Sequence, residues 1–198
     1  FSQRNINCSI EESIERFRPV VQAARAAGVK VRAAISCALG CPYQGEVSLD
    51  DVERVVLLMK DIGVQHVGVA DTIGVGTARR AQAAMERALK HYPLSEVSGH
   101  FHDTYGQALA NIYACLEMGV HIFDTSVAGL GGCPYAKGAT GNVATEDVVF
   151  MLNGLGIETG IDLNALVDAG AFISDVLGRA PVSRAGKALL AKRDKANA

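Results

Sequence analysis

The sequence lacks several features that would assign it to a familiar class of proteins. Its net charge is only −2, and its lysines and arginines are scattered, so we expect neither nucleic acid nor an anionic membrane as a partner. It contains no run of about 18 apolar residues, and we therefore predict no transmembrane helix. There is no low-complexity tract and 49% of the residues are hydrophobic, which favours a folded domain over a disordered segment.

The cysteines define neither a disulfide framework nor a zinc site. They number five, an odd count, and none has CxxC spacing. The first 20 residues show no apolar signal core. We therefore expect reduced thiols in a bacterial cytoplasm, or in the mitochondrial matrix if the source is a eukaryote. Cys37 and Cys41 could form a redox or metal-binding pair, although small buried residues are the simpler interpretation.

Apolar runs alternate with amphipathic segments along most of the chain. Four runs predict strands, and their starts are spaced as in βα units of a parallel sheet; the runs are 29–36, 66–71, 96–103 and 121–128. The segments between and after them predict helices; these are 9–28, 48–61, 77–92, 107–118, 145–152 and about 163–177.

Two folds fit this alternation, a doubly wound sheet and a (β/α)8 barrel. Polar residues follow several strands rather than one pair, and a barrel gathers all strand ends at one mouth. The segment "GVGTAR" lacks the third glycine of a dinucleotide fingerprint. We therefore predict an α/β fold, the C-terminal half of a (β/α)8 TIM barrel with four βα units plus C-terminal helices. This half-barrel would span residues 1–178 of a longer protein, followed by a C-terminal tail over 179–198, whose polar end "AKRDKANA" is expected to be frayed.

The segment "HFHD" is the clearest candidate for chemistry. On a strand, His100 and His102 point to one face and Phe101 to the other. Two such imidazoles can chelate a metal, or act as ligand and proton carrier, or simply be hydrogen-bonded at a sheet end. Asp103 could orient an imidazole or cap the next helix.

Three further residues have a functional and a structural interpretation each. Asp71 ends a strand and is either a base or a turn residue. Asn142 is either a hard metal ligand or a left-handed turn residue after glycine. Cys133 lies in the glycine-rich segment "GLGGCPYAKGATGN", where it is either a plain loop residue or a thiol that a closing loop brings to a substrate.

Four motifs resemble the 3-hydroxy-3-methylglutaryl-CoA lyase family over nearly the whole chain, to about Gly178. They are "SCALGCPYQG", "DTIGVGT", "HFHDTYGQALAN" and "SVAGLGGCPYAKGATGNVATEDVV". The cysteine loop is the most specific of them. The HxH motif is shared by a wider set of metal-dependent barrel lyases, aldolases and acyl-transferring synthases.

The resemblance implies cleavage of 3-hydroxy-3-methylglutaryl-CoA to acetyl-CoA and acetoacetate, a step of leucine degradation and ketone-body formation, by a homo-oligomeric enzyme. It implies Mg²⁺ or Mn²⁺ bound by His100, His102, Asn142 and a first-strand aspartate. Cys133 would be catalytic, and His100 and Asp71 are candidates for moving the hydroxyl proton. Asn5 matches a position near the coenzyme A moiety.

The chain departs from the family pattern in one respect. The family carries an Arg-Asp pair on its first strand and a glutamate on its second, and neither matches a predicted strand here. We therefore expect weak metal binding and no lyase activity from these 198 residues alone. The alternatives are a related metal-dependent aldolase or acyl-CoA synthase, and an inactive half-barrel that only associates with another chain.

Overall fold

The four predicted strands form a single parallel sheet. The computed structural model describes residues 1–132 and 141–196. Its strands are β1 (Arg32–Ile35), β2 (His66–Asp71), β3 (Val97–Phe101) and β4 (Phe123–Asp124), paired in the order β1-β2-β3-β4. The order follows the chain without the reversal that marks a doubly wound sheet. The α/β prediction is confirmed, with β1, β3 and β4 shorter than the apolar runs predicted.

Helices connect the strands and follow the last one. All six predicted helices are found, and two further helices occur in the described ranges, α1 before them and α8 after them. The bounds are α1 (Ser2–Ile6), α2 (Ile10–Ala26), α3 (Leu49–Asp61), α4 (Ala78–Leu89), α5 (Ala108–Glu117), α6 (Thr145–Gly154), α7 (Leu163–Val176) and α8 (Arg184–Ala196). None of the helices in the described part of the chain is both long and apolar enough to cross a membrane.

Local sequence signals set the starts of the helices. Ser9 and Glu12 form a capping box, in which Glu12 N donates to Ser9 Oγ at 3.1 Å and Ser9 N donates to Glu12 Oε2 at 2.7 Å. At the next connection Asp51 N donates to Ser48 Oγ at 3.0 Å. These bonds satisfy amide groups that have no partner inside the helix.

The two faces of the sheet differ in chemistry. On one face Val67, Val69, Val97 and Phe101 are almost completely buried in the main core, together with residues of α3, α4 and α5. Alternation along the strands turns their neighbours to the opposite face. That face carries polar side chains, which are Arg32, His66, Ser98, His100 and Asp124. We call it the polar face.

The C-terminal tail contains a helix, which extends to Ala196 and so includes most of the end that was expected to be frayed. Helix α8 begins at Arg184, and its start is held by Asp147 of α6. The Asp147 carboxylate accepts hydrogen bonds from Ser183 Oγ at 2.8 Å, from Ala185 N at 2.7 Å and from Arg184 N at 3.2 Å. The polar composition of the segment misled the prediction, because a buried carboxylate rather than an apolar stripe anchors the helix.

Candidate metal centre

The two histidines of the HxH motif lie together at the carboxyl end of β3. Their ring centroids are 5.3 Å apart, and the planes are tilted by 54°. His102 is 7% exposed, and its Nδ1 has no hydrogen-bond partner among the described residues. Burial, and secondarily the neighbouring His100, lowers the pKa of His102. A neutral imidazole with a free nitrogen is the form that binds a metal.

Backbone pairing brings Asn142 to the same place. Val143 N donates to Phe101 O at 3.3 Å and Asp103 N donates to Gly141 O at 3.0 Å, so Asn142 is bridged to His102. The Asn142 amide donates through Nδ2 to Leu130 O at 3.0 Å. Its Oδ1 is buried and has no partner in the described part of the chain. The left-handed turn residue at this point is Gly141, with φ 99°, and not Asn142.

Two glycines make this approach possible. A Cβ on Gly141 would lie 2.0 Å from Gly131 O, and a Cβ on Gly131 would lie 2.6 Å from Asn142 Nδ2. Both have positive φ, which glycine adopts without strain. Residues 131 and 141 are therefore in contact, one on each side of the segment that carries the predicted Cys133. Cys133 itself lies outside the described residues.

These donors fit a divalent cation. Imidazole nitrogen and amide oxygen both occur as ligands of such ions. A buried acceptor without a hydrogen-bond partner is energetically unfavourable, and a bound cation would satisfy it. No group of three or more His, Cys, Asp and Glu able to hold a metal is present within residues 1–132 and 141–196. The set here depends on an amide, and it consists of His100, His102 and Asn142.

Asp71 is not part of this arrangement. It pairs in register with Phe101, which places its side chain on the buried helix face, away from His100. Its carboxylate is 0% exposed and accepts hydrogen bonds from Val75 N at 3.1 Å and Gly76 N at 2.8 Å. Burial raises its pKa, against the effect of those backbone bonds. Asp71 therefore organises the loop between β2 and α4.

Asp103 follows the structural interpretation. Ala108 N, at the start of α5, donates to Asp103 Oδ1 at 3.0 Å. The carboxylate thus holds the turn that leads into the helix. It also lies 3.5 Å from Arg184 at the start of α8.

Asn5, the residue predicted to lie near coenzyme A, is located away from the candidate metal centre. Asn5 lies on α1 and lines a cavity of about 360 Å³ together with Cys37 and Cys41, and none of the metal-centre residues lines it. Both cysteines are buried and free. Burial raises the pKa of Cys37 to about 12, which makes it a poor nucleophile.

The sequence did not predict a polar network beside His100. Arg32 Nη1 donates to Asp124 Oδ1 at 2.8 Å, and Arg32 Nη2 contacts Asp124 Oδ2 and donates to Ser98 Oγ at 2.9 Å. His100 Nδ1 lies 3.3 Å from Asp124 Oδ2. Burial disfavours ionisation of Asp124, but its contacts with His100 and Arg32 outweigh burial and lower its pKa to about 2. The sequence feature that could have indicated this network is a charged residue within an otherwise apolar strand, which occurs at Arg32 and at Asp124.

A buried glutamate shapes the chain after β4. Glu146 is 1% exposed, and both of its carboxylate oxygens accept from Ala128 N, at 2.9 and 3.0 Å. Ala128 has φ 55°, an uncommon conformation for a residue other than glycine. Glu146 therefore stabilises the turn Val127–Gly129 that directs the chain towards Gly131.

The fold and the site together define an α/β protein with a parallel sheet and metal-type donors at the carboxyl end of its strands. Residues 1–173 match the family model described as HMGL-like, and the chain belongs to this family. The family resemblance of the sequence motifs is confirmed.

Individual relatives agree with this assignment. The chain is 60% identical over 192 residues to a 3-hydroxy-3-isohexenylglutaryl-CoA/hydroxy-methylglutaryl-CoA lyase of Pseudomonas aeruginosa, covering 97% of this chain and 64% of that protein. It is 53% identical to the mitochondrial hydroxymethylglutaryl-CoA lyase of Gallus gallus, covering 95% and 63%. The chain thus spans somewhat less than two thirds of the curated relatives it matches.

Solved structures show the same backbone. The crystal structure of hydroxymethylglutaryl-CoA lyase from Pseudomonas aeruginosa superposes with a TM-score of 0.93 at 60% identity, covering 97% of this chain and 64% of that one. The N-terminal domain of a putative aldolase from Bacteroides vulgatus has a TM-score of 0.64 at 20% identity, covering 84% and 51%. The second likeness shows the fold alone.

Proposed function

We propose that this chain carries part of the active site of a divalent-metal-dependent lyase that cleaves 3-hydroxy-3-methylglutaryl-CoA to acetyl-CoA and acetoacetate. The observation that carries the proposal is the pair of buried atoms His102 Nδ1 and Asn142 Oδ1, which have no hydrogen-bond partner within residues 1–132 and 141–196. His102 lies directly beside His100. The relatives named as lyases of this substrate support it. Localisation in the bacterial cytoplasm, or in the mitochondrial matrix of a eukaryote, and a homo-oligomeric state are proposed on the resemblance alone.

We also propose that the sheet is half of a (β/α)8 barrel. Consecutive parallel strands joined by helices on one side are the repeating unit of that fold. The polar face supports the proposal, since Arg32 and Ala34 are exposed on it while the helix face is buried. In a closed barrel the polar face would be the interior, and the carboxyl ends of its strands would surround the metal centre.

His100, His102 and Asn142 would hold Mg²⁺ or Mn²⁺. Such an ion supplies Lewis-acid polarisation of a substrate hydroxyl or carbonyl oxygen. Carbon–carbon cleavage also requires an acceptor for the proton of the tertiary hydroxyl. Of the two predicted candidates only His100 lies on the face of the donors, since Asp71 faces the helices. The Nε2 lone pair of His100 can bind the ion or accept the hydroxyl proton, but it cannot do both at once.

The other product-forming step is protonation of the acetyl-CoA enolate. A thiol can supply this proton, and Cys133 is the candidate from the resemblance. Its segment begins after Gly131 and ends at Gly141, both in contact with each other beside Asn142. The two ends of this segment, Gly131 and Gly141, therefore both lie beside Asn142.

A chimera tests the proposed activity. The chain is fused to the part of the Pseudomonas aeruginosa lyase that the match leaves uncovered, and acetoacetate is measured with Mn²⁺ and 3-hydroxy-3-methylglutaryl-CoA. We expect turnover by the chimera and none by the 198-residue chain alone, because the resemblance assigns the fourth ligand to a strand this chain does not match. Turnover by the chain alone would contradict the second expectation.

Two variants of the chimera locate the metal centre. His102→Ala should reduce turnover to background and weaken Mn²⁺ binding in titration calorimetry. His121→Ala is the matched control, because His121 is exposed before β4 and contacts Gly119 O at 3.0 Å. A folded chimera that makes no acetoacetate, or a His102→Ala variant that keeps full activity, would refute the proposed function.

A further inference from the structure

We propose that Asp124 is a positioning residue that fixes the tautomer of His100. Its carboxylate accepts a hydrogen bond from the N–H of His100 Nδ1. The lone pair of Nε2 is then presented to the metal centre. The choice of tautomer follows from contacts within the polar face, and only the use of the Nε2 lone pair rests on the proposed function.

Strand pairing sets the contact between the two residues. His100 on β3 and Asp124 on β4 are partners in register, so their side chains leave the sheet on the same face. His100 Nδ1 lies 3.3 Å from Asp124 Oδ2. An ionised carboxylate can only accept hydrogen bonds, and a neutral imidazole carries its single proton on one nitrogen. Beside Asp124, that nitrogen is Nδ1.

Arg32 holds the carboxylate in place from the far edge of the sheet. Its guanidinium contacts both oxygens of Asp124, a two-point arrangement that fixes the orientation of a carboxylate more firmly than a single bond. The same guanidinium donates to Ser98 Oγ at 2.9 Å. Ser98 Oγ also lies 2.9 Å from His66 Nε2, which ties β2 into the network.

The Arg32 side chain crosses the sheet beside a glycine, Gly68. Arg32 lies on β1 and Asp124 on β4, so the guanidinium crosses β2 and β3 on the polar face. A Cβ on Gly68 would lie 3.3 Å from Arg32 Nη2 and 3.1 Å from Ser98 Oγ. Glycine on β2 therefore leaves the space through which Arg32 reaches Asp124.

This arrangement has a clear consequence for the metal centre. A ligating histidine generally donates its other ring N–H to a carboxylate or carbonyl, which fixes the ring orientation and makes the ligating nitrogen more basic. Loss of such a partner typically weakens metal binding or activity by about 10- to 100-fold. Asp124 supplies this contact to His100.

The tautomer can be measured directly on the metal-free 198-residue chain. Histidine is labelled with ¹⁵N, and long-range ¹H–¹⁵N spectra at about pH 8, where neutral imidazole dominates, report which ring nitrogen is protonated. The His100 signals are assigned by their loss in His100→Gln. We expect a protonated Nδ1 at His100 in the wild-type chain and a shift towards protonated Nε2 in Asp124→Asn.

Mn²⁺ affinity of the chimera gives a second readout. Asp124→Asn should weaken binding by about 10- to 100-fold, while Asp168→Asn should leave it unchanged. Asp168 is the matched control, since it also pairs with an arginine, Arg193, but on the α7–α8 surface.

The results separate this proposal from the proposed function. Protonated Nε2 at His100 in the wild-type chain would overturn the proposal even if Asp124→Asn fails to fold. An unchanged tautomer in a folded Asp124→Asn chain would overturn it as well. A chimera without turnover, combined with a protonated Nδ1 that depends on Asp124, would refute the lyase function and still support the positioning role.

Discussion

Replacing Asp147 by alanine should detach the start of α8 while leaving the sheet folded. Asp147 is 8% exposed and accepts three hydrogen bonds, from Ser183 Oγ and from the amides of Arg184 and Ala185. A hydrogen bond to a charged group contributes roughly 1.5–3 kcal/mol, and three on one carboxylate are not additive. The carboxylate also faces the positive end of the α8 dipole. We therefore expect a local loss of about 3 kcal/mol.

Hydrogen exchange followed by mass spectrometry measures this loss segment by segment. A cost of about 3 kcal/mol corresponds to roughly 100-fold faster exchange of the α8 amides if they exchange by local opening, with β2 and β3 little affected. The matched control is Asp168→Ala, which removes the exposed ion pair between Asp168 of α7 and Arg193 of α8. Exposed pairs contribute about 0–1 kcal/mol. Equal effects of the two substitutions, or unchanged exchange in Asp147→Ala, would refute the anchoring role.

Two further predictions concern the proposed catalytic thiol and acid stability. In the active chimera, Cys133→Ser should lower kcat much more than it changes KM, and an effect confined to KM would point to a positional role instead. Glu53 lies 2.5 Å from Arg87 Nη1 and 2.9 Å from His91 Nε2, contacts that lower its pKa to about 2. Because the pKa of Glu53 is lower in the folded chain than its usual value of 4.5, the ionised side chain stabilises the fold above pH 4.5. This contribution is lost as the pH falls towards about 2. Urea midpoints of Glu53→Gln should therefore depend less on pH between these limits than those of the wild-type chain, and parallel curves would contradict this assignment.

Short-range sequence patterns predicted most of the helices and strands and the shared face of two residues of the candidate metal centre. Strand alternation placed His100 and His102 on one face, opposite Phe101, because the period of two needs no knowledge of the partner strand. The same alternation also specifies the face of the sheet on which Asp71 lies. Asp71 shares its parity with the buried Val67 and Val69, which predicts the helix face rather than the face of the histidines.

Contacts between distant parts of the chain could not be predicted in this way. Arg32 and Asp124 are separated by 92 positions, and their pairing depends on sheet order and register, which a single sequence does not specify. The contact of Asp147 with Ser183 spans 36 positions and joins two helices. Both contacts join charged or polar groups, so the hydrophobic periodicity used to predict elements carries no information about them.

The polar face links the metal centre to residues that no local motif would associate with it. His100 contacts Asp124, Asp124 is held by Arg32, and Arg32 crosses the sheet beside Gly68, where a Cβ would make tight contacts with its guanidinium. Each contact is polar and lies on one face, while the opposite face is packed with valines and Phe101. Substitutions on the buried face therefore act mainly through packing and stability. Substitutions at Arg32 or Gly68 should instead act on the orientation of His100, although both positions lie more than 30 residues away from it in the sequence.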